Sequence, residues 1–420
     1  MRGPNALEIG GDVFCLKLNN SGARKNLELF GISPSDDYLT TIANNRPTIS
    51  RNNESYSCTR LRRSILPPVP LRRMEFGVAF ARIVYRDYDL IVDELRSSYH
   101  PQNNFCYSID RKADETFRSN IRQLARCFSN ILITPEEFDV TAGGYNMNKA
   151  HYMCMRMLLK EKGWEYVLLL QNHDVIIKSP YEMVEIYSLL GGANDVHVSR
   201  CPEELCSPEM KWTPQSGTSS KTLDTTIELA KGAVQVSLSR AAVQWLIDTV
   251  NLTTTLEKLN KKTYGYDEIM MASLQVNEEL GMPGRFTSDC LLQGKDTRSI
   301  SRLSTWKNGP NVTCKSGYAR KSICIFGIED FPSILKYPHV MANKMLPEFD
   351  YAIIECIHEV IFNRTFLNQD DHPLDKGYYA NMPNVRYNRN RKRPISNFKL
   401  TCVRSQDEID DSYTRAKVVV

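Results

Sequence analysis

Long apolar stretches are missing from this 420-residue chain. No run reaches the roughly 18 consecutive apolar residues that a spanning helix needs. Met1–Gly11 lacks the charged-then-apolar pattern of a signal peptide. The expectation is therefore that any membrane anchor lies outside this sequence, or that the protein is not secretory. Cys-x-x-Cys pairs and Cys/His groups at zinc spacing are also absent, so no zinc module is legible. Charge of one sign is lacking as well. The net charge of +4 is small and dispersed, and it implies no nucleic-acid partner. There is no internal repeat.

What is present points elsewhere. The 42% hydrophobic content is enough for a real core, in one large or two ordinary domains. Twelve cysteines alone decide little. Asn19, Asn53, Asn251, Asn311 and Asn363 each begin an Asn-x-Ser/Thr triplet without proline. Such triplets arise by chance, but together with the cysteines they favour the lumen of the secretory pathway.

Glu75–Lys112 organises the chain. Phe76–Tyr85 reads as a strand, with Asp87 as the N-cap of a helix carrying Tyr88, Ile91, Val92 and Leu95. Pro101–Asn104 turns the chain, and Phe105–Ile109 reads as a second strand. Helical spacing recurs at Phe117, Ile121 and Leu124, and again from Met147 to Leu158. Asn130–Thr134 and Tyr166–Leu170 read as further strands. The alternation predicts an α/β fold with a mostly parallel sheet covered on both faces. Ligands in such sheets bind beyond the carboxyl ends of the strands, which singles out Tyr85, Arg86 and Asp110.

Residues 1–72 read as a stem or linker, with Pro67-Pro68-Val69-Pro70 near its end. Residues 73–366 form the expected main domain, and 367–420 a polar tail with basic residues at Arg386–Arg393. Ser199–Thr226 reads as a long surface excursion. Lys231–Leu238 is predicted to be one strand, followed by a helix capped by Ser239. Asp267-Glu268 opens another helix, where carboxylates complement the dipole. Ser322–Phe326 reads as a buried strand and Phe349–Phe362 as a helix.

Several segments resemble the core-2/I-branching β-1,6-N-acetylglucosaminyltransferases, whose wider family includes peptide O-xylosyltransferases. They are YHPQNNFCYSIDRK, the Arg126–Asn130 run, WEYVLLLQNHDVIIKS, Tyr266-Asp267-Glu268, KSICIFG at 321–327 and ANKM at 342–345. The order and rough spacing hold from about 58 to 366, and the cysteines fall in register. The resemblance implies a GT-A-like variant of a Rossmann-type glycosyltransferase domain, anchored in the Golgi as a type II protein. It also implies the pairs Cys15–Cys356, Cys58–Cys127, Cys106–Cys154 and Cys314–Cys324. Cys201, Cys206, Cys290 and Cys402 receive no partner from it.

For the chemistry, the resemblance implies Glu268 as the base that takes the acceptor hydroxyl's proton. It implies two basic side chains, Lys321 and Lys344, in place of a metal at the donor diphosphate, so no metal and no cofactor are expected. Lys321 stands where arginine is usual, and lysine lacks arginine's bidentate fork. Strand alternation predicts that the neighbouring Arg320 points to the opposite face. Asp87-Tyr88-Asp89 matches the Asp-x-Asp metal pattern literally, but capping accounts for it better. Ile83, Tyr85 and Asp110 match uridine contacts, with Tyr85 replacing a histidine. On the acceptor side His197 and Trp306 match, with histidine in place of glutamate. Leu205 and Pro208 fall where basic residues are expected, and Asn308 where a tyrosine is.

The leading expectation is an inverting, metal-independent transferase moving GlcNAc from UDP-GlcNAc to an O-glycan acceptor. One alternative keeps the fold with another donor, such as UDP-xylose onto protein. A third is a non-catalytic member that binds a glycan or partner protein.

Overall fold

The computed structural model describes residues 40, 43–48, 56–67, 69–206, 215–216, 227–306, 314–370, 374–391 and 400–402. Cys15, Asn19, Asn53, Pro208, Asn308 and Asn311 lie outside them, as does most of the predicted excursion after Cys206.

Helix α1 (Cys58–Ile65) leads into β1 (Gly77–Val84), whose residues are all buried. Then follow α2 (Tyr88–Ser98), β2 (Asn104–Ile109), α3 (Glu115–Cys127), β3 (Ile131–Ile133), α4 (Met147–Leu158) and β4 (Trp164–Leu170). The main sheet runs β3-β2-β1-β4-β8, the last strand being Ser237–Ser239. β3, β2, β1 and β4 are parallel, and β8 joins β4 antiparallel. The fold is therefore mixed α/β with a mostly parallel central sheet, as the alternation predicts.

Side-chain size assigns the two faces of β1. Val78, Phe80 and Val84 point to one side, into a core with Ile91 and Leu95 of α2 and Ile121 and Leu124 of α3. Ala79 and Ala81 point to the other, beneath Cys154, Met155 and Leu158 of α4. Small residues there let α4 lie close enough for Cys106 of β2 to bond Cys154. Cys58–Cys127 and Cys314–Cys324 form as the resemblance implies, and the structure adds Cys201–Cys206 and Cys290–Cys402.

A second, three-stranded sheet carries much of the site. It is ordered β9 (Arg302–Ser304), β12 (Met341–Asn343), β5 (Val175–Ile176). β9 runs parallel to β12, and β5 antiparallel to it. Asp174 thus precedes β5, Arg302 opens β9 and Lys344 follows β12. The entry to β9 is pinned by Asp195, which is fully buried. Its carboxylate accepts from Ile300 N at 3.0 Å, Ser301 N at 2.7 Å and Ser301 Oγ at 2.6 Å. Burial outweighs these bonds and pushes the carboxyl up to about 6.

Four sequence expectations change. Lys231–Leu238 is two strands: β7 (Ala230–Gly232) pairs with β6 (Val198–Arg200), and β8 pairs with β4. An apolar run reads alike whether or not it changes sheets midway. Ser322–Phe326 is mostly not strand. β10 (Ala319–Arg320) and β11 (Ile323–Cys324) form a hairpin turned by Lys321 and Ser322, at φ +49° and +64°. Asp87 stands at the N-cap of α2 with φ +59°, but its side chain caps nothing. The stretch after 366 is not simply a solvated tail. Lys376–Ala380 and Pro383–Asn390 are helices that bury Tyr379, Met382 and Val385, and Asn384 Nδ2 donates to Asn194 O at 2.8 Å.

Asp195→Ala leaves two buried N–H groups and a hydroxyl without their acceptor. A loss of roughly 3 kcal/mol or more is expected, since each such group costs about 1–3 kcal/mol. Denaturant unfolding of the purified chain checks this, and a loss below about 1 kcal/mol would show that β9 is held by other means.

Candidate active site

Gly265, at φ +92°, turns the chain into the 3-10 turn Tyr266–Glu268 ahead of helix α5 (Met270–Val276). The two adjacent carboxylates part company there. Glu268 reaches partly into solvent, and its Oε2 lies 2.7 Å from Lys231 Nζ on β7. Asp267 is buried. Its carboxylate packs so tightly on Gly144 that a Cβ there would lie 2.0 Å from Asp267 Cγ. Burial first, and the neighbouring Glu268 charge second, push Asp267 up to about 7.

A cation cluster lies beyond. Lys344 is half-buried, and its pKa is lowered by burial and by the charges of Arg320, Arg302 and Lys321, while Asp174 acts to raise it. The hairpin explains the grouping. Lys321 is a turn residue rather than a strand residue, so alternation does not carry Arg320 away, and both charges act on Lys344. Arg320 also acts on Tyr85. Arg302 is common to both halves of the site, because its charge bears on Asp267 as well as on Lys344.

The strand-end residues cluster at the carboxyl edge of the main sheet. Tyr85 N and Arg86 N donate to Asn172 Oδ1 at 2.7 and 3.2 Å. Lys112 Nζ sits 4.4 Å from the centre of the Tyr85 ring and also pairs with Asp110. Burial raises the Tyr85 pKa. Asp110 is buried and already accepts from Lys112 N at 3.1 Å and Val140 N at 3.4 Å. Ile83 is core, in a small cluster with Phe138, Val140 and Met147.

Asp87, His173 and Glu348 place one ligand atom each within 4.8 Å of one another, a grouping that could hold a metal. The fit is poor. Arg86 already reaches both carboxylates, Nε to Asp87 Oδ2 at 3.1 Å and Nη2 to Glu348 Oε1 at 2.6 Å. His173 Nε2 lies 2.7 Å from the same Asp87 oxygen. A guanidinium thus stands where a metal cation would be needed.

On the remaining side, His197 is half-buried, its pKa lowered chiefly by burial, and Glu268 is among the charges acting on it. Trp306 is 44% exposed and bridges to Ile323 of the hairpin, so it belongs to the surface and not to the core. The Cys201–Cys206 loop brings Leu205 to the turn before Glu268, where a Cβ on Gly265 would meet Leu205 Cδ1 at 3.2 Å. Sequence reasoning missed Lys231, Asn172 and Arg302. Asn172 lies in a segment of the family resemblance and Lys231 opens a predicted strand, but all three join the site through tertiary contacts that no local pattern announces.

The family model for the Core-2/I-Branching enzyme matches residues 78–335, more than half of the chain. The protein belongs to the core-2/I-branching enzyme family and is a glycosyltransferase of that type. Among curated relatives, rat β-1,3-galactosyl-O-glycosyl-glycoprotein β-1,6-N-acetylglucosaminyltransferase 3 is 29% identical over 315 residues, covering 71% of each chain. The human protein of that name is 27% identical over 363 residues, covering 82% of this chain and 78% of its own. A Bovine herpesvirus 4 (strain LVR140) enzyme, β-1,3-galactosyl-O-glycosyl-glycoprotein β-1,6-N-acetylglucosaminyltransferase, is 29% identical over 329 residues, covering 74% and 73%. Among solved structures, S. aureus TarS 1-349 is similar at 12% identity and a TM-score of 0.30, covering 81% and 78%.

The raised Asp267 pKa fixes a pH dependence. Its folded value, about 7, exceeds an unfolded value near 4. The proton therefore favours the fold: this contribution is fully present below about pH 4 and is lost as pH rises through 7. Asp267→Asn, which stays neutral, should gain stability over the parent between pH 5 and pH 8, by roughly 2–4 kcal/mol at most. Parallel unfolding curves for the two proteins across that range would contradict the burial argument.

Proposed function

We propose that the protein transfers GlcNAc from UDP-GlcNAc, with inversion and without a metal, to a glycan hydroxyl to form a β-1,6 branch. The observation that carries this is one carboxylate, Glu268, which reaches solvent next to Asp267, and Asp267 feels the charge of Arg302, a member of the cation group that acts on Lys344. The printed names of the relatives support the sugar and the linkage. Glu268 takes the proton as the acceptor oxygen bonds the anomeric carbon and the bond from that carbon to the β-phosphate oxygen breaks. Lys321 and Lys344 meet the charge that grows on the departing diphosphate. Lys231 holds the Glu268 carboxylate until an acceptor hydroxyl takes its place. The uridine lies at the Tyr85–Asp110 edge, with Ile83 beneath it, while His197 and Trp306 line the acceptor side. Five disulfides among the described residues and the family fit an oxidising lumen, with the Golgi as the place of action.

A second reading retains the chemistry with another UDP-sugar, such as UDP-xylose onto protein. Leu205 beside Gly265 favours it, because an apolar wall replaces the charges expected at that position. The non-catalytic reading has less support, since the base and cations are retained together.

Glu268→Gln should lower transfer by about 10²-fold or more while leaving UDP-GlcNAc binding in EDTA within about twofold, as loss of a general base predicts. Transfer assays across UDP-sugars, with and without EDTA, check this. Undiminished turnover would remove Glu268 from the role, and dependence on added manganese would remove the metal-free mechanism.

A further inference from the structure

We propose that Arg302 binds the terminal phosphate of the nucleoside diphosphate and supplies the guanidinium fork that Lys321 lacks. This rests on the UDP-sugar function proposed above. Arg302 Nη1 lies 3.9 Å from Asp174 Oδ1, close enough for attraction but too far for a hydrogen bond. No hydrogen bond of its guanidinium is formed among the described residues, so its five donors stand ready for a ligand. Asp174 does not need Arg302. It is fully buried and already accepts from Asn343 Nδ2 at 2.8 Å and Gln171 N at 2.6 Å. Lys344 feels the charges of Arg302, Arg320 and Lys321, and Asp174 is the one anion acting on it. Four grouped cations against one carboxylate leave a positive excess that a multiply charged anion would neutralise.

Position selects the terminal phosphate. The charge of Arg302 reaches both Asp267, next to the proposed base, and Lys344, so in the proposed reaction it serves the phosphate nearest the anomeric carbon. The guanidinium is also well placed to be rigid. Its strand pairs with β12, and the preceding residues hang on Asp195 through three hydrogen bonds. A planar fork suits a phosphate better than the point charge of lysine at the hairpin tip.

The test is calorimetric titration of the purified full chain with UDP and with UMP at fixed salt, for the parent, Arg302→Gln and Arg302→Lys. In Arg302→Gln, UDP affinity should fall by about 10-fold or more and UMP affinity by less than about 3-fold, as loss of a bidentate contact to the second phosphate predicts. Arg302→Lys, which keeps the charge and the fold, should lose about 3- to 10-fold for UDP alone. It stands as the test if the glutamine variant fails to fold. Equal losses for UDP and UMP, or unchanged UDP affinity in either folded variant, would overturn the assignment. A parent protein that binds neither nucleotide would instead overturn the proposed UDP-sugar function, so the two failures are distinguishable.

Discussion

Asp174 is a fully buried carboxylate at the joint between the two sheets, and the spacing of the site depends on it. Its Oδ2 accepts from Gln171 N at the end of β4, and its Oδ1 from Asn343 Nδ2 on β12. Its own carbonyl accepts from Arg82 of β1, whose guanidinium also pairs with Glu94 of α2 at 2.9 Å. Glu94 in turn accepts from Ile176 N of β5 at 3.2 Å. One chain of charge-assisted bonds thus ties β1, α2, β5 and β12 together. Buried charges persist only when paired and hydrogen-bonded, so these elements cannot shift singly without leaving an orphan. The Tyr85–Asp110 edge follows β1 and β2, while Arg302 opens β9 and Lys344 follows β12. The distance between them is therefore set in the core, not in the loops.

Three buried aspartates show how one residue type takes different parts. Asp174, with two close donors and Arg302 at 3.9 Å, serves as the joint. Asp195 receives three hydrogen bonds, yet burial still pushes it up to about 6, because its donors are neutral. Asp267 lies against Gly144 beside another carboxylate and rises further, to about 7. For both of these burial is the largest cause, and the neighbouring Glu268 charge adds to it at Asp267 alone. Of the adjacent pair, Glu268, the carboxylate with a lysine at 2.7 Å, is the member that reaches solvent.

How far the sequence could be read follows from where the information lies. β1, α2, β2 and β4 are legible because each is a continuous periodic segment with its partner close in the chain. Glu268, Lys321 and Lys344 stand out only through resemblance, since a carboxylate at a helix start or a lysine near a strand has ordinary explanations. The strand change within 230–239 is not legible, because Val234 and Val236 are apolar in either arrangement. The Lys321-Ser322 turn is hidden for a different reason. Left-handed turns favour glycine or asparagine, and neither is present. Asp87 looks like a cap, yet its carboxylate is taken by His173 and Arg86, partners 86 residues and one residue away. Arg302 belongs to the site through strand pairing with residues about forty positions later, a relation that no local spacing encodes.

In the proposed mechanism the base and the acceptor wall belong to separate elements of the fold. Glu268 sits on the turn before α5 and is held by Lys231 of β7, whereas the wall proposed to face it is the Cys201–Cys206 loop that follows β6. β6 and β7 pair with each other, so the loop's root is fixed relative to Lys231. Beyond that root the loop is closed on itself by its own disulfide and touches the base turn through Leu205 against Gly265. Replacing charged residues in such a loop alters which hydroxyl-bearing partner is favoured, since an apolar wall leaves sugar hydroxyls without hydrogen-bond partners. It does not disturb the carboxylate, its lysine or the cations on the other sheet.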